Sequence, residues 1–314
     1  MKFPFLYALI FLTSLKIVNK MESSSPLNIL FIINPVSGGK NSIDWEPEIR
    51  NYFKQLSYHI EFLILTGKDD AASISSRIEK LSPQKVVAVG GDGTVCLVAG
   101  RLLHKSITLG ILPGGSANGM AAELNIPKDI NTALDLIVTG KEQKCDVLRI
   151  NDSQTCIHLS DLGLNARLVR YFDKSDIRGM WGYVRMLFKI LIEGKPVNAH
   201  IVADGLDKHI PAYMIVIANA TKYGTGAVIN PEGSVNDGIF ELVVVRKISF
   251  IEFLKLFLRK VPFNPEKVEI FKTTKAVITV KRKTHFQVDG EYIGKINKVS
   301  VEMIPGALNI LVPE

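Results

Sequence analysis

The turn Gly90-Gly91-Asp92-Gly93-Thr94 sets one carboxylate among glycines, directly behind the apolar run Lys85-Val86-Val87-Ala88-Val89. Glycines let the backbone approach a ligand with no Cβ in the way, and a strand end followed by a helix start aims bare N–H groups at a phosphate. Val95 to Leu103 has helical spacing, so the glycines fall between a strand and a helix. A carboxylate in such a turn is repelled by phosphate unless it faces Mg²⁺, a ribose hydroxyl or a proton to be moved. The same turn also reads as a plain structural connection.

Two further loops are of this kind. Leu27–Ile33 ends in Asn34-Pro35-Val36-Ser37-Gly38-Gly39-Lys40, and Thr108–Leu112 ends in Pro113-Gly114-Gly115-Ser116-Ala117-Asn118-Gly119. Three apolar strands opening into Gly/Ser/Asn loops at one carboxyl edge form the usual ligand site of an open α/β sheet. No Gly-Lys pair is followed by Ser or Thr, and no Gly-x-Gly-x-x-Gly occurs in these loops, so neither a P-loop nor a dinucleotide fingerprint is present.

A second group of carboxylates lies late in the chain. Asp289 and Glu291 are two apart on a strand-like run and would share one face but for Gly290. A turn at Gly290 sends the two side chains to different places; an exposed Asp-Gly hairpin turn followed by Glu is the alternative reading. Asn236-Asp237-Gly238-Ile239 is by itself an ordinary turn signal. Cys96, Cys145 and Cys156 show no Cys-x-x-Cys spacing, and the six histidines show no metal-ligand spacing, so zinc and a disulfide framework are not indicated. No Gly-x-Ser-x-Gly nucleophile motif occurs.

The elements that must position these groups divide the chain. With 314 residues and 47% hydrophobic content there is material for two cores. Strand-like and helix-like segments alternate through about Leu148, which predicts a parallel sheet covered by helices. After Thr155, Val197–Ala203, Ala212–Ala220, Phe240–Val245, Ala276–Lys281, His285–Val288 and Val299–Met303 read as strands, with helix-like Gly179–Glu193 and Phe250–Arg259 between them. The expected fold is an α/β N-terminal domain with a parallel sheet plus a mostly antiparallel β C-terminal domain. Expected boundaries are 1–25 for an upstream or weak anchor segment, 26–151 for the α/β domain and 152–314 for the β-rich domain.

Phe3 to Leu15 is an apolar stretch of 13 residues between Lys2 and Lys16. It falls short of the roughly 20 residues of a membrane span and lacks a signal-peptidase site. Met21 is read as the natural start. The net charge of +7 fits an anionic partner. Basic residues Arg167, Arg170, Arg178, Arg185 and Lys189 accompany Met180, Trp181, Tyr183 and Phe188, a mixture suited to an anionic membrane surface or to a solvated helix with one core face. Lys281-Arg282-Lys283 reads as an exposed strand end, and no nucleic-acid fold signature is present.

The ordered set Asn34-Pro35-x-Ser37-Gly38, Gly90-Gly91-Asp92-Gly93-Thr94 and Pro113-Gly114-Gly115-Ser116-Ala117-Asn118 resembles the diacylglycerol kinase catalytic-domain family. Asn219-x-x-x-Tyr223-Gly224-x-Gly226, Pro231, Asn236-Asp237-Gly238 and Val288-Asp289-Gly290-Glu291 continue the resemblance to the C-terminus. The resemblance implies an ATP-dependent lipid kinase, cytoplasmic and peripherally membrane-associated, with a membrane lipid as substrate, no nucleic-acid partner, and a homodimer left open. It implies nucleotide contacts from Asn34, Pro35, Ser37, Gly38, Gly90, Gly91, Gly93, Thr94, Gly114, Gly115, Ser116 and Asn118. It further implies Glu291 as general base, Asp289 in a metal–water network, and Mg²⁺ held by Asp237 with carbonyls near Ser234 and Ile239; Asp92 joins the catalytic set. The final strand is expected to return to the first domain. The chain departs from many members in having Gly119 where an Asp follows the loop Asn, and Ala220 after Asn219. An NAD kinase is the runner-up, but the Asn-Glu dipeptide of that family is absent. A catalytically inactive membrane-binding module is the other alternative, opposed by the presence of Asp92, Asp289 and Glu291.

Overall fold

The computed structural model describes residues 26–38, 44–164, 166, 195–223, 226–258 and 261–314. The N-terminal apolar stretch and the basic, aromatic segment around Trp181 lie outside these residues. Strands β1 (Leu27–Ile33), β2 (Tyr58–Ile64), β3 (Lys85–Gly90) and β4 (Thr108–Pro113) pair in parallel in the spatial order β2-β1-β3-β4. Ile29, Leu30, Phe31 and Ile32, consecutive in β1, are all fully buried. A strand covered on both faces needs such an unbroken apolar run.

The connecting helices are α1 (Trp45–Phe53), α2 (Asp70–Leu81), α3 (Asp92–Leu102), α4 (Gly119–Glu123) and α5 (Ile130–Thr139). Helix α3 starts three residues before the helical spacing in the sequence predicts, with Gly91 as its N-cap. Asp92, Gly93 and Thr94 therefore occupy the first helical turn instead of a loop.

The second half is antiparallel. It comprises β5 (Lys141–Ile150), β6 (Gln154–Cys156), β7 (Leu159–Gly163), β8 (Val197–Ala203), β9 (Leu206–Ala212), β10 (Met214–Ala218) and β11 (Phe240–Val245). Helix α6 (Phe250–Lys255), β12 (Val268–Thr273), β13 (Lys275–Val288) and β14 (Glu291–Val312) follow. The class predicted from the sequence is thus the class observed. One path of hydrogen-bonded strands, β12-β11-β10-β7-β13-β14-β4-β3-β1-β2, crosses the whole described molecule.

Strand β14 makes that continuity. Over its first part it pairs antiparallel with β13, and near its end Asn309 and Ile310 lie parallel to Thr108 and Leu109 of β4. Its register against β5 shifts between Ile304 and Leu308, around Pro305 and Gly306. Proline has no N–H to give the ladder, and Gly306 takes a φ of +56°, so the strand bends there.

Three expectations change in detail. The run read as Ala212–Ala220 is two strands, β9 and β10, because Leu206–Ala212 is a mostly polar hairpin arm on β8. The runs Ala276–Lys281 and His285–Val288 are one strand, with Lys281-Arg282-Lys283 exposed at its register shift between Thr279 and Thr284. Val299–Met303 is the middle of a strand of 22 residues.

Candidate active site

The three glycine loops meet at the carboxyl edge of β1, β3 and β4. Asn34 N–H is anchored on Val89 O at 3.0 Å, and its Nδ2 donates to Thr94 Oγ1 at 3.0 Å, tying the first loop to the start of α3. Gly114 N–H donates to Gly90 O at 2.9 Å, joining the third loop to the second. Asn118 closes its own loop: Gly115 N–H donates to its Oδ1 at 2.8 Å, and its Nδ2 donates to Gly115 O at 2.7 Å. Asn118 adopts φ +51°, which asparagine tolerates better than most residues.

The glycines are required first by each other. A Cβ on Gly115 would collide with Gly91 Cα, and a Cβ on Gly90 would lie 2.5 Å from Thr94 Oγ1 and 3.0 Å from Ser37 Oγ. Gly93 differs, since its Cβ would lie 2.5 Å from Glu291 Oε1, across from the second half of the chain.

Asp92 bridges the second and third loops. Its Oδ2 accepts Gly119 N–H at 2.8 Å and its Oδ1 accepts Met120 N–H at 3.0 Å. A side chain on α3 therefore satisfies two orphan N–H groups at the start of α4. The Asp92 carboxylate thereby clamps the second loop to the third. The donor at position 119 is the backbone N–H, which any residue but proline supplies.

Strands β13 and β14 are joined by the two-residue turn Asp289-Gly290, with Val288 paired to Glu291. Both turn residues have positive φ, +46° and +86°, as a type I′ hairpin demands. The Asp-Gly turn is real, but Asp289 is buried at 5% exposure. Its Oδ2 accepts Ile157 N–H at 2.9 Å, and its Oδ1 accepts His158 N–H at 3.0 Å and Leu159 N–H at 3.1 Å. Cys156 Sγ also donates to Oδ1, at 3.2 Å. Four donors from the chain itself hold this carboxylate and pin the turn to the entry of β7. Gly290 N–H is held by Gln287 Oε1 at 2.7 Å. Glu291 is then carried outward, exposed, toward Gly93.

Between α3 and this hairpin lies a cleft of about 490 Å³. Of the residues singled out by sequence, Asn34, Ser37, Gly91, Gly93, Thr94, Asp289 and Glu291 line it. Gly114, Gly115, Ser116 and Asn118 do not; Gly114 and Gly115 brace the second loop from behind. Pro35, Gly38 and Gly90 are likewise outside the lining. The cleft adds Cys96, which the sequence weighed only for zinc or a disulfide, and residues it did not single out, among them Gly100, Arg101 and Thr155. Gly93, Cys96 and Gly100 recur at helical spacing, so a narrow stripe of small side chains on α3 leaves room for a ligand. Arg101 is the only lysine or arginine lining the cleft among the described residues.

Burial, with the neighbouring Asp289 next, holds the Cys96 and Cys156 thiols well above the ordinary thiol range. Burial pushes Cys145 up to about 12. All three stay neutral thiols at neutral pH and are not nucleophiles there.

The remaining predicted residues sit apart. Asp237 Oδ1 accepts Ile239 N–H at 3.2 Å, and Ser234 Oγ donates to Asn236 Oδ1 at 2.7 Å, so this is a self-closed turn. Asp146, missed in the sequence, holds it: the buried carboxylate accepts Gly238 N–H and Gly306 N–H, each at 2.6 Å. Its only sequence signal is a charge inside the apolar run Cys145-Asp146-Val147-Leu148. Asn219 of the second-half signature is buried, and its Nδ2 donates to Asp146 O at 3.0 Å and Ile157 O at 2.8 Å. No group of three or more His, Cys, Asp or Glu side chains positioned for a metal occurs among the described residues.

A glycine cradle on a parallel sheet, faced by a carboxylate hairpin from an antiparallel half, is the architecture of a class of kinases that the comparisons make specific. The profile of the diacylglycerol kinase catalytic domain matches residues 28–150, and that of the YegS C-terminal NAD kinase beta sandwich-like domain matches 160–312. The chain is an enzyme, a kinase, and it belongs to the diacylglycerol kinase catalytic-domain family. It is 28% identical over 277 residues to a "Probable lipid kinase YegS-like" of Klebsiella pneumoniae (strain 342), covering 85% of this chain and 92% of that one. To the "Diacylglycerol kinase" of Bacillus subtilis (strain 168) it is 27% identical, covering 84% and 90%. A crystal structure of a diacylglycerol kinase from Bacillus anthracis str. Sterne has the same fold, with TM-score 0.72 at 18% identity over 92% of this chain and 98% of that one.

Proposed function

We propose that this chain is an ATP-dependent lipid kinase that transfers the γ-phosphate to a primary hydroxyl of a membrane lipid of the diacylglycerol or sphingoid type. The names of the relatives support a lipid acceptor. The observation that carries the mechanism is Glu291 brought against Gly93 in the cleft, from a strand that begins more than 190 residues later.

The N-terminus of α3, with Gly93 and Thr94 in the lining, offers backbone N–H groups and a positive dipole end to the phosphates. Arg101 adds a full positive charge at the other end of the same helix face. Glu291 accepts the proton of the lipid hydroxyl as the new O–P bond forms; the bond from the γ-phosphorus to the bridging oxygen breaks, and ADP leaves with that electron pair. Bound together with the nucleotide, Mg²⁺ supplies neutralisation of phosphate charge. Asp289 acts as a positioning residue, fixing the hairpin from which Glu291 projects.

A second Mg²⁺ site remains a proposal at Asp237, with Ser234 and Ile239. The donors on this turn are oxygens, which suits a hard cation that keeps several waters. The site would brace the turn and lies outside the transfer chemistry.

Incubation of the purified chain with γ-labelled ATP and a total lipid extract tests the reading. Label recovered in a phosphorylated lipid is expected. Label found only in inorganic phosphate, or in a nicotinamide nucleotide when one is supplied, would overturn it.

A further inference from the structure

We infer that α6 and the turn after it form a membrane-docking face for an anionic bilayer. This rests on the lipid kinase reading, which requires the cleft to meet a substrate held in a bilayer. Among the described residues, twelve large hydrophobic side chains are exposed, and six of them lie between Phe250 and Val261: Phe250, Ile251, Leu254, Phe257, Leu258 and Val261. Single exposed hydrophobics are normal on a protein surface; a cluster of this size marks a contact.

The helix is inverted relative to a core helix. Positions 250, 254, 257 and 258 follow the spacing of one helical face, and that face is the exposed one. The face turned inward carries Glu252, buried at 6% exposure. Its carboxylate is kept there by Lys255 Nζ at 3.0 Å and by Asn264 N–H at 3.1 Å. Hydrogen bonds from Phe257 N–H to Leu254 O and from Leu258 N–H to Lys255 O, at 3.1 and 3.0 Å, carry the apolar face one turn beyond α6. The Phe257 ring leans edge-on against Phe253 at 5.5 Å, which holds it in place without covering it.

Charge selects the occupant. The stretch 246–269 contains Arg246, Lys247, Lys255, Arg259, Lys260 and Lys267 against Glu252, Glu266 and Glu269, six cations to three anions, with Arg246 paired to Glu269 and Lys255 to Glu252. Apolar side chains flanked by cations suit the headgroup and acyl boundary of a bilayer containing anionic lipid. A second copy of this chain suits it less, because a two-fold contact sets the same cations opposite one another.

The face is also wired to the site. Val228 N–H donates to Leu256 O at 2.7 Å, and Tyr223, in the same loop, contacts Asp161 through its hydroxyl at 3.5 Å. Asp161 is hydrogen-bonded to Gln287 Nε2 at 2.5 Å, and Gln287 Oε1 holds the Gly290 N–H beside Glu291. Docking at α6 therefore bears on the hairpin that presents the base.

The test is flotation of the full chain with vesicles of phosphatidylcholine alone, or of phosphatidylcholine and phosphatidylglycerol in equal parts. Wild type should float with the mixed vesicles. Ile251→Ser combined with Leu258→Ser should reduce that binding at least tenfold, and Lys247→Glu should reduce it further as salt is lowered. The double variant should phosphorylate detergent-dispersed short-chain diacylglycerol at the wild-type rate. Vesicle binding unchanged in the double variant, or a dimer that the variant splits while vesicle binding persists, overturns the inference. Loss of kinase activity in wild type on the dispersed lipid, with flotation intact, overturns the lipid kinase reading instead.

Discussion

Glu291 and Gly93 are neighbours across the cleft: a Cβ on Gly93 would come within 2.5 Å of the Glu291 Oε1. The glycine is therefore not required by phosphate alone. It leaves the space in which a carboxylate from β14 stands over the first turn of α3.

The two kinds of glycine separate experimentally. Gly93→Ala pushes on the far end of a flexible side chain, so it should lower turnover at least tenfold and shift the melting temperature little. Gly115→Ala drives a Cβ into the Gly91 backbone, which cannot yield cheaply. It should cost about 1–3 kcal/mol of stability, the usual range for overpacking. Paired thermal melts and ATP turnover check this; a reversed pattern contradicts the assignment.

Asp289→Asn should act on folding before chemistry. Three backbone N–H groups converge on the carboxylate. An amide presents its NH₂ to donors, leaving at least one buried N–H unpaired at about 1–3 kcal/mol. A lowered denaturation midpoint with an unchanged Mg²⁺ dependence of the residual activity is expected. An unchanged midpoint with a raised Mg²⁺ requirement would assign Asp289 to the metal instead.

The buried thiols give a pH signature. Their folded pKa values are raised above the ordinary thiol value of about 8.5. Their contribution to stability is fully present below about 8.5 and is lost as pH rises from there, because the unfolded chain then gives up protons that the folded chain keeps. Urea midpoints should fall from neutral to alkaline pH, and Cys156→Ala should flatten that fall. An equal slope in wild type and variant would remove Cys156 from the account.

What the sequence shows of this molecule follows the range of the interactions. The glycine loops are local, and each stands directly behind its own strand, so Asn34, Gly91 and Gly93 could be found by eye. The parallel and antiparallel halves follow from apolar runs and their alternation. Asp289's partners are about 130 residues away in the chain, and nothing near Asp289 foretells three amides from the entry of β7. The acceptor role of Asp92 is hidden for the same reason, since it depends on where the third loop lands. Strand β9 is hidden because it is mostly exposed and carries no apolar run. Arg101 and Thr155 enter the cleft only once α3 and β6 are set beside it.

The most direct measurement is the turnover of Glu291→Gln on the phosphorylated lipid's precursor, with ATP affinity measured in parallel. Glutamine keeps the size and hydrogen bonding of the side chain but takes no proton at neutral pH. The account predicts a fall in turnover of about two to four orders of magnitude with ATP affinity unchanged. Turnover within about threefold of wild type, well short of the usual general-base contribution, would contradict it.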